Sequence, residues 1–317
     1  MKKALSLLLA LVMCLSLCAC GGGEQNAQTP DGENTTTDNK GSNLPNTEDE
    51  EKNQRYEHAL SLLNKDIHSK QGDEFKEAYE ILTELGDYKD APKYLSCFTV
   101  IPDVLLSWDI SSISHFGDRT DLGTNYLLYD AVGRVLCAPR GDTTFYVAIY
   151  EHYTYDNNGL KTNCVVLGTP ATITCKYENG LLIEEKHTLD GKTALICTYE
   201  YDNNNRLVSF YSVDLNGTET NEKYVYENGL LIQGPEGKYE YQDGLLIRTN
   251  TGGNYKNYIY EDGQLIRVDL MNPQYTTAVM VLEQYTYENG KVKSVIYDEQ
   301  RVVDYNYGDY YCYTPAE

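Results

Sequence analysis

Residues 224–265 contain three copies of one short sequence motif, called the phrase below. The copies are Tyr224-Val-Tyr226-Glu-Asn-Gly229-Leu-Leu231, Tyr239-Glu-Tyr241-Gln-Asp-Gly244-Leu-Leu246 and Tyr258-Ile-Tyr260-Glu-Asp-Gly263-Gln-Leu265. Two tyrosines separated by one residue fall on the same face of a strand, because side chains alternate between its faces. An Asn-Gly or Asp-Gly pair between apolar residues is the strongest short-range hairpin signal. Each phrase therefore predicts a β-hairpin whose first strand carries the tyrosines.

The phrase recurs outside this stretch, which makes it a repeat array. The other five units are Tyr129-Asp-Ala-Val-Gly133-Arg-Val135, Tyr153-Thr-Tyr155-Asp-Asn-Asn-Gly159-Leu160, Tyr177-Glu-Asn-Gly180-Leu-Leu182, Tyr199-Glu-Tyr201-Asp-Asn-Asn-Asn205-Arg-Leu207 and Tyr285-Thr-Tyr287-Glu-Asn-Gly290-Lys-Val292. The position two residues after the turn glycine, or after Asn205, is aliphatic in every unit except the one with Lys161, which marks a buried face. We predict a mainly β fold, an antiparallel meander of Tyr-rich hairpins.

The pairing register within each hairpin stays open between two alternatives. With a two-residue loop, the tyrosine before the acidic residue lies opposite the aliphatic residue two positions after the turn glycine. With a three-residue loop and a bulge, it lies opposite the residue before that aliphatic. Several units also carry aliphatic residues at the alternate positions, whose side chains lie on the opposite face of the strand, such as Leu181 with Ile183. A sheet that is apolar on both faces near its turns is expected to curl or to be covered.

The array resembles the YD repeats of the rearrangement-hotspot (RHS) family, whose phrase is Tyr-x-Tyr-Asp, a short gap, Gly, Arg or Lys, then Leu. The units Tyr129-Asp-Ala-Val-Gly133-Arg-Val135 and Tyr201-Asp-Asn-Asn-Asn205-Arg-Leu207 match it best. The resemblance covers residues 126–310, with Glu often replacing Asp. In that family, large arrays form a spiral β-shell around a C-terminal toxin. Eight units are too few for such a shell, so we expect a curled repeat domain without a toxin.

The N-terminal residues predict export and lipid anchoring. Lys2 and Lys3 precede an apolar run that is too short for a transmembrane helix, which is the composition of a secretory signal. The run ends in Leu17-Cys18-Ala19-Cys20, which resembles a bacterial lipoprotein signal. That resemblance implies removal of residues 1–19 and acylation of Cys20. The expected location is the extracytoplasmic face of the cell membrane, with the membrane as a partner through the lipid on Cys20.

Between this signal and the repeats, composition indicates two further segments. Residues 20–54 are rich in Gly, Asn, Thr, Asp and Glu, which predicts a disordered tether. Apolar residues then recur with helical periodicity over residues 55–98, with a break at Gln71-Gly72-Asp73, Asp73 as a plausible N-cap and an end at Gly86. This segment resembles one tetratricopeptide-like unit. Because solenoids need about three units, it is expected to cap the β-repeat domain, residues 99–317, rather than bind peptides.

Charge and residue patterns exclude several kinds of chemistry. Asp and Glu total 48 against 26 Lys and Arg, for a net charge of −22, so nucleic-acid binding is disfavoured. No zinc, cofactor or nucleophile motif occurs, and no cofactor or metal is expected. The histidines have no ligand spacing; they are His58, His68, His115, His152 and His187. The acidic residues beside the turns are assigned a turn role, and Trp108 is predicted to fill the junction between helices and sheet.

Six cysteines follow Cys20, and their disulfide state stays open between bridges and buried free thiols: Cys97, Cys137, Cys164, Cys175, Cys197 and Cys312. Cys175 and Cys197 each precede a repeat tyrosine by two residues, in equivalent strands. In a meander, one strand separates equivalent strands. Their backbones should then lie about 9–10 Å apart, beyond the reach of a disulfide. We predict that these two cysteines are not bonded to each other.

The functional prediction is a surface-exposed, lipid-anchored, non-catalytic binding or scaffolding protein whose ligand is an envelope protein or a glycan. Exposed tyrosine edges offer amphipathic contact area at low entropic cost. The candidate binding surface consists of Tyr199, Tyr201, Tyr224, Tyr226, Tyr239, Tyr241, Tyr258 and Tyr260. The alternatives are an envelope hydrolase or transport-associated lipoprotein with a site built from loops, and a structural spacer without a ligand. A deep pocket with converging carboxylates would favour the hydrolase.

Overall fold

The computed structural model of the protein describes residues 47–64, 71–114, 118–139, 150–251, 253–275 and 277–315. The predicted signal peptide, the acylated Cys20 and the tether up to residue 46 lie outside the described residues, as do His68 and His115. The helices and sheets belong to one compact unit, Asn46–Glu317. Among the described residues, no helix is both long enough and apolar enough to cross a membrane.

Three helices precede the sheets: α1 (Thr47–Leu63), α2 (Gln71–Leu85) and α3 (Ala91–Leu95). Helix α1 begins eight residues before the predicted boundary, because Glu48, Asp49 and Glu50 occupy its first turn, where acidic side chains favour the helix dipole. Helix α2 includes Gln71-Gly72-Asp73, which the sequence predicted as a break. It ends at Leu85 before Gly86, whose φ of 58° gives the left-handed conformation expected after a helix.

Helices α1 and α2 pack through small residues at their crossing. Ala59 and Ala78 are fully buried, and Leu82 fills the centre of the same cluster. The junction with the sheet is aromatic: the ring of Tyr79 lies 5.3 Å from that of Phe98, centroid to centroid. Further aromatic contacts join Phe75 to Tyr313 and Tyr79 to Tyr311. Trp108 does not belong to this cluster; it lies in strand β1, paired with Tyr305 and Asn125.

In the described part of the chain, twenty strands follow the helices. They are β1 (Phe98–Ile113), β2 (Arg119–Tyr126), β3 (Leu128–Tyr129), β4 (Val135–Pro139), β5 (Tyr150–Tyr155), β6 (Lys161–Val166), β7 (Ala171–Glu178), β8 (Leu181–Leu189), β9 (Lys192–Tyr201), β10 (Leu207–Asp214), β11 (Glu219–Lys223), β12 (Val225–Glu227), β13 (Leu230–Gly234), β14 (Gly237–Gln242), β15 (Leu245–Thr251), β16 (Asn254–Glu261), β17 (Gln264–Met271), β18 (Met280–Glu288), β19 (Lys291–Tyr297) and β20 (Arg301–Tyr313).

The strands form two antiparallel sheets, and the predicted mainly β meander is confirmed. In the nine-stranded sheet, β3 to β11 pair in chain order. In the eleven-stranded sheet, β12 to β20 pair in chain order, and β20 then pairs with β1 and β1 with β2. Backbone hydrogen bonds continue where the chain passes between sheets: Leu127 N–H donates to Leu106 O at 2.9 Å, and Tyr224 N–H to Val208 O at 3.1 Å.

All eight repeat hairpins share one β-bulge. Tyr177 lies opposite Leu182, and the next pair inward is Lys176 with Glu184, so Ile183 has no partner in register. The same shift occurs beside the corresponding tyrosine of every unit: Tyr129, Tyr155, Tyr201, Tyr226, Tyr241, Tyr260 and Tyr287. The first of the two predicted registers is therefore the observed one. A bulge increases the local twist of the sheet. This twist accounts for the aliphatic residues that lie on both faces of the strands near the turns.

Candidate functional site

The second tyrosine of four repeat pairs ties its hairpin to the one before it. The Tyr201 hydroxyl donates to the Leu182 carbonyl at 2.9 Å, and Leu182 is the residue opposite Tyr177 at the bulge of the preceding unit. We call this contact the tyrosine latch. Three further units repeat it: Tyr155 to the Val135 carbonyl, Tyr260 to the Leu246 carbonyl and Tyr287 to the Leu265 carbonyl. In these four units the latch satisfies a carbonyl oxygen at the preceding bulge, so these hydroxyls are committed to the fold.

The first tyrosine of several pairs is held by a carboxylate two residues earlier in the chain. The Tyr224 hydroxyl donates to Glu222 Oε2 at 2.9 Å, and Tyr153 and Tyr285 bond in the same way to Glu151 and Glu283. Burial, followed by this hydrogen bond, raises the pKa of Tyr224 to about 12. The pKa values of Tyr153 and Tyr285 are raised as well, with burial again the largest cause. These phenols stay protonated near neutral pH, so they do not act as bases.

The structure places all eight tyrosines of the candidate binding surface in half-buried positions: Tyr199, Tyr201, Tyr224, Tyr226, Tyr239, Tyr241, Tyr258 and Tyr260. Their edges are less open than the sequence predicted, because latches and carboxylates hold several of the hydroxyls. The Tyr226 ring is further covered by the guanidinium of Arg206, 4.7 Å from its centroid. The binding role of these eight residues stays a prediction.

The acidic residues beside the longer turns act within those turns. Asp202 Oδ1 accepts hydrogen bonds from the backbone N–H of Asn204 at 2.8 Å and of Arg206 at 3.0 Å. Its Oδ2 accepts one from Arg206 Nη2 at 2.6 Å, and these bonds, the Arg206 side chain first, lower the pKa of Asp202. Asp130, Asp156 and Asp214 accept backbone hydrogen bonds in the same pattern. The structure therefore agrees with the turn role assigned from the sequence.

A cluster of metal-ligating residue types lies on one face of the nine-stranded sheet. Glu185 and His187 project from the same face of β8, and Cys197 lies directly opposite Glu185 on β9. The ligand atoms of these three residues all lie within 4.8 Å of one another. Cys175 is opposite Glu185 on the other side, on β7, with its Sγ 3.9 Å from Glu185 Oε1. We call Cys175, Glu185, His187 and Cys197 the Glu185 cluster.

Two departures from the repeat create the Glu185 cluster. In the third unit, Cys175 occupies the position of the first tyrosine, so a thiol replaces a phenol there. In the fourth unit, Cys197 stands two residues before Tyr199, where the units of Tyr153, Tyr224 and Tyr285 have glutamate. The Tyr199 hydroxyl therefore reaches across to the neighbouring strand and donates to Glu185 Oε2 at 2.7 Å.

Among the described residues, Cys97, Cys137, Cys175, Cys197 and Cys312 are free thiols. One strand separates Cys175 from Cys197, as predicted, since both pair with Glu185 from opposite sides. Burial raises the pKa of Cys137 and of Cys197 to about 11, and it also raises those of Cys175 and Cys312. A thiol with a raised pKa is protonated at neutral pH and is a weak nucleophile. These cysteines therefore lack the activation that a catalytic thiol needs.

Two other histidines have separate surroundings. The His58 Nε2 atom lies 3.0 Å from Glu77 Oε1 between the exposed sides of α1 and α2. His152 pairs with Cys137 and Val165 in the nine-stranded sheet, and burial lowers its pKa. That His187 shares a face of β8 with Glu185 was not predicted from the sequence. The signal was present, because Cys175 and Cys197 were already placed on either side of one strand, and that strand contains Glu185-Lys-His187.

A cleft of about 410 Å³ lies beside the turn between β18 and β19. Its lining residues are Asp103, Glu288, Asn289, Lys291, Val292, Lys293, Tyr305, Asn306 and Tyr307. The bulge of β1 at Asp103, which has a φ of 56°, brings this carboxylate to Lys291 Nζ at 2.5 Å. Lys291 Nζ also lies 4.7 Å from the centroid of the Tyr307 ring, and Lys293 Nζ lies 3.1 Å from Glu288 Oε2.

No protein-family model matches the chain, and no curated protein is similar to it. Among solved structures, the chain is similar to a porin-like protein from Bacteroides uniformis, with 13% sequence identity and a TM-score of 0.36. The similarity covers 64% of this chain and 97% of that chain. A TM-score at this level does not establish a common fold or a common function.

Proposed function

We propose that this chain is a lipid-anchored, non-catalytic binding protein on the extracytoplasmic face of a bacterial membrane, and that the cleft beside Tyr307 holds a glycan of the envelope. Lipid anchoring rests on the motif Leu17-Cys18-Ala19-Cys20, and the RHS-like repeat domain serves as the rigid support for the cleft. The observation that carries the proposal is the composition of the cleft, in which aromatic rings lie beside amides and charged groups.

The chemistry of the cleft suits a hydroxyl-rich ligand. The rings of Tyr305 and Tyr307 offer apolar surface, while the side chain of Asn289 offers donors and an acceptor. The Asn306 amide also lines the cleft, but its Nδ2 donates to Ser107 Oγ and Asp109 Oδ2. Binding sites commonly combine apolar surface with a few convergent polar groups, and the volume of this cleft falls in the usual range for small-ligand sites. A sugar presents an apolar C–H face and a polar rim, so it matches both kinds of group.

The charges in the cleft support binding rather than hydrolysis. A glycosidase requires two carboxyl groups that face a common substrate, one as an acid and one as a base or nucleophile. Here Asp103 is paired with Lys291 and Glu288 with Lys293. Both carboxylates are therefore held in ion pairs with lysines. The hydrolase remains the alternative hypothesis, and the binding experiment distinguishes the two.

The binding experiment uses the full chain in detergent and purified soluble fragments of cell-wall glycan as the probe, with titration calorimetry as the readout. We expect saturable binding, and at least about a tenfold loss of affinity in Tyr307→Ala, or ~1.4 kcal/mol. Tyr275→Ala is the matched control, because Tyr275 is 62% exposed on the loop between β17 and β18, whereas Tyr307 is 37% exposed.

Three results would contradict the binding proposal. Glycan fragments that are shortened after incubation, as judged by mass spectrometry, would make the chain a hydrolase. Equal losses in Tyr307→Ala and Tyr275→Ala would place the ligand elsewhere. Retention of a purified envelope protein without glycan binding would change the ligand class to protein.

The anchor is tested separately by metabolic labelling with a fatty-acid analogue. Cys20→Ala should lose both the label and membrane retention. Cys18→Ala is the control and should keep both, because it preserves the residue pattern before Cys20. Labelling that persists in Cys20→Ala would contradict the anchor assignment.

A further inference from the structure

We propose that the Glu185 cluster is a binding site for a divalent transition metal, with Zn²⁺ as the best fit. Its ligands would be Glu185, His187 and Cys197. Cys175, whose Sγ lies 3.9 Å from Glu185 Oε1, borders the site. This site lies in the nine-stranded sheet and is independent of the cleft in the eleven-stranded sheet, so it goes beyond the proposed glycan binding.

The donor set decides the class of metal. Thiolate sulfur and imidazole nitrogen select zinc and its transition-metal neighbours, whereas Mg²⁺ and Ca²⁺ prefer a shell made of oxygen atoms. One cysteine, one histidine and one carboxylate provide three protein ligands, which leaves the fourth position of a tetrahedral zinc site for water. The Glu185 cluster thus fits Zn²⁺ or Co²⁺ and does not fit Ca²⁺.

The geometry requires only a small closure. Zn–S bonds of ~2.3 Å and Zn–N bonds of ~2.0 Å place tetrahedral ligand atoms about 3–4 Å apart. In the structure, the ligand atoms of Glu185, His187 and Cys197 lie within 4.8 Å of one another. A contraction of about 1 Å is within the range of side-chain rotation, since Glu185 and His187 are only half-buried.

The surroundings of Glu185 are those of a metal ligand with an outer partner. The Tyr199 hydroxyl donates to Oε2, which leaves Oε1 directed towards Cys175 Sγ. Outer hydrogen bonds of this kind orient metal-ligating carboxylates. Lys161 Nζ lies 3.8 Å from Oε1 and serves as the counter-ion in the metal-free form. With 34% of its side chain exposed, Lys161 can move into solvent when a cation takes its place.

Metal binding at this site releases protons. Each Zn–S bond replaces one S–H bond, and the proton leaves to the buffer. No oxidation or reduction is involved.

The test is a titration of the full, chelator-stripped and reduced chain in detergent with Co²⁺, which reports its ligands by absorption. We expect one Co²⁺ per chain, with thiolate-to-cobalt charge-transfer bands and the intense d–d bands of a tetrahedral site, all displaced by Zn²⁺. Ca²⁺ should not displace Co²⁺. Absence of stoichiometric binding to the unmodified chain would overturn the proposal.

Variants assign the ligands. Cys197→Ala should abolish the charge-transfer bands or reduce them sharply, whereas Cys312→Ala should retain them; the two cysteines are matched in burial, at 5% and 8% exposed. Glu185→Gln is nearly isosteric, so it tests the site even if Cys197→Ala does not fold, and it should weaken Co²⁺ binding at least about tenfold. Tyr199→Phe removes only the outer hydrogen bond and should cost about 10- to 100-fold in affinity. Unchanged binding in folded Cys197→Ala or in Glu185→Gln would refute the site.

Discussion

The two sheets are built from the same hairpin but differ in the chemistry they carry. Within their described strands, the nine-stranded sheet holds Cys137, Cys164, Cys175, Cys197, His152 and His187, whereas the eleven-stranded sheet holds Cys312 and no histidine. The bulge and the tyrosine latch occur in both sheets. The shared geometry therefore fixes the backbone, while the positions it leaves open, such as those of Cys175 and Cys197, vary and carry the candidate chemistry.

The turns differ between the sheets as well. In the nine-stranded sheet, Asp130, Asp156, Asp202 and Asp214 organise turns through backbone hydrogen bonds from the residues that follow. In the eleven-stranded sheet, the repeat hairpins turn through Asn-Gly or Asp-Gly pairs with positive φ at both residues, for example 49° at Asn228 and 85° at Gly229. The nine-stranded sheet uses this second type as well, at Asn179-Gly180 and Asp190-Gly191. The carboxylate-dependent turns of the described repeat hairpins are therefore a feature of the nine-stranded sheet, whereas the positive-φ turns occur in both.

The largest expected effect comes from one substitution made in both sheets. Gly237→Ala, in the eleven-stranded sheet, would bring a Cβ into overlap with the Asn250 carbonyl oxygen at a φ of 114°. We expect a loss of about 3 kcal/mol or more in the free energy of unfolding. Gly180→Ala, in the nine-stranded sheet, has a φ of 80° and no atom within 4 Å of the new Cβ. This variant should lose only about 1 kcal/mol in the free energy of unfolding, because alanine is disfavoured in the left-handed conformation.

Denaturant unfolding, monitored by circular dichroism, measures both glycine variants. Equal losses for Gly237→Ala and Gly180→Ala would contradict the close approach of β14 to β15.

The second prediction tests whether the tyrosine latch is equivalent in both sheets. Tyr201→Phe and Tyr260→Phe each remove one hydroxyl and leave one carbonyl oxygen without its donor. Both should lose about 1 kcal/mol in the free energy of unfolding. Tyr275→Phe is the exposed control and should change stability by less than ~0.5 kcal/mol. A loss in only one sheet would show that the latch is not a common element.

The smallest expected effect is a pH dependence confined to the nine-stranded sheet. Hydrogen bonds from Arg206 lower the folded-state pKa of Asp202 below its ordinary value. A lowered pKa means that the stabilising contribution is present above the ordinary pKa and is lost as the pH falls towards the folded-state value. Asp202→Asn should therefore reduce the difference in stability between pH 6 and pH 3, measured by thermal unfolding. An unchanged difference in Asp202→Asn would contradict this role of the Arg206 hydrogen bonds.

The sequence was sufficient for the repeat but not for the site. The phrase around Asn228-Gly229 determines the hairpins because turn geometry and side-chain alternation are local properties of the chain. The bulge register depends on how successive hairpins pack, and the latch from Tyr201 to Leu182 joins residues on neighbouring strands. Helix α1 begins at Thr47, earlier than predicted, because the acidic side chains in its first turn favour the helix dipole and offset its polar composition. The Glu185 cluster required the register of three strands, which the sequence left open.

The zinc site is tested most directly by a crystal structure of the full chain grown with one equivalent of Zn²⁺, with anomalous diffraction measured above and below the zinc edge. We expect one anomalous peak per chain in the nine-stranded sheet, within bonding distance of Glu185, His187 and Cys197, and no comparable peak in the eleven-stranded sheet. A bound zinc between other residues, or an empty Glu185 cluster in zinc-saturated crystals, would contradict the claim that departures from the shared hairpin build this site.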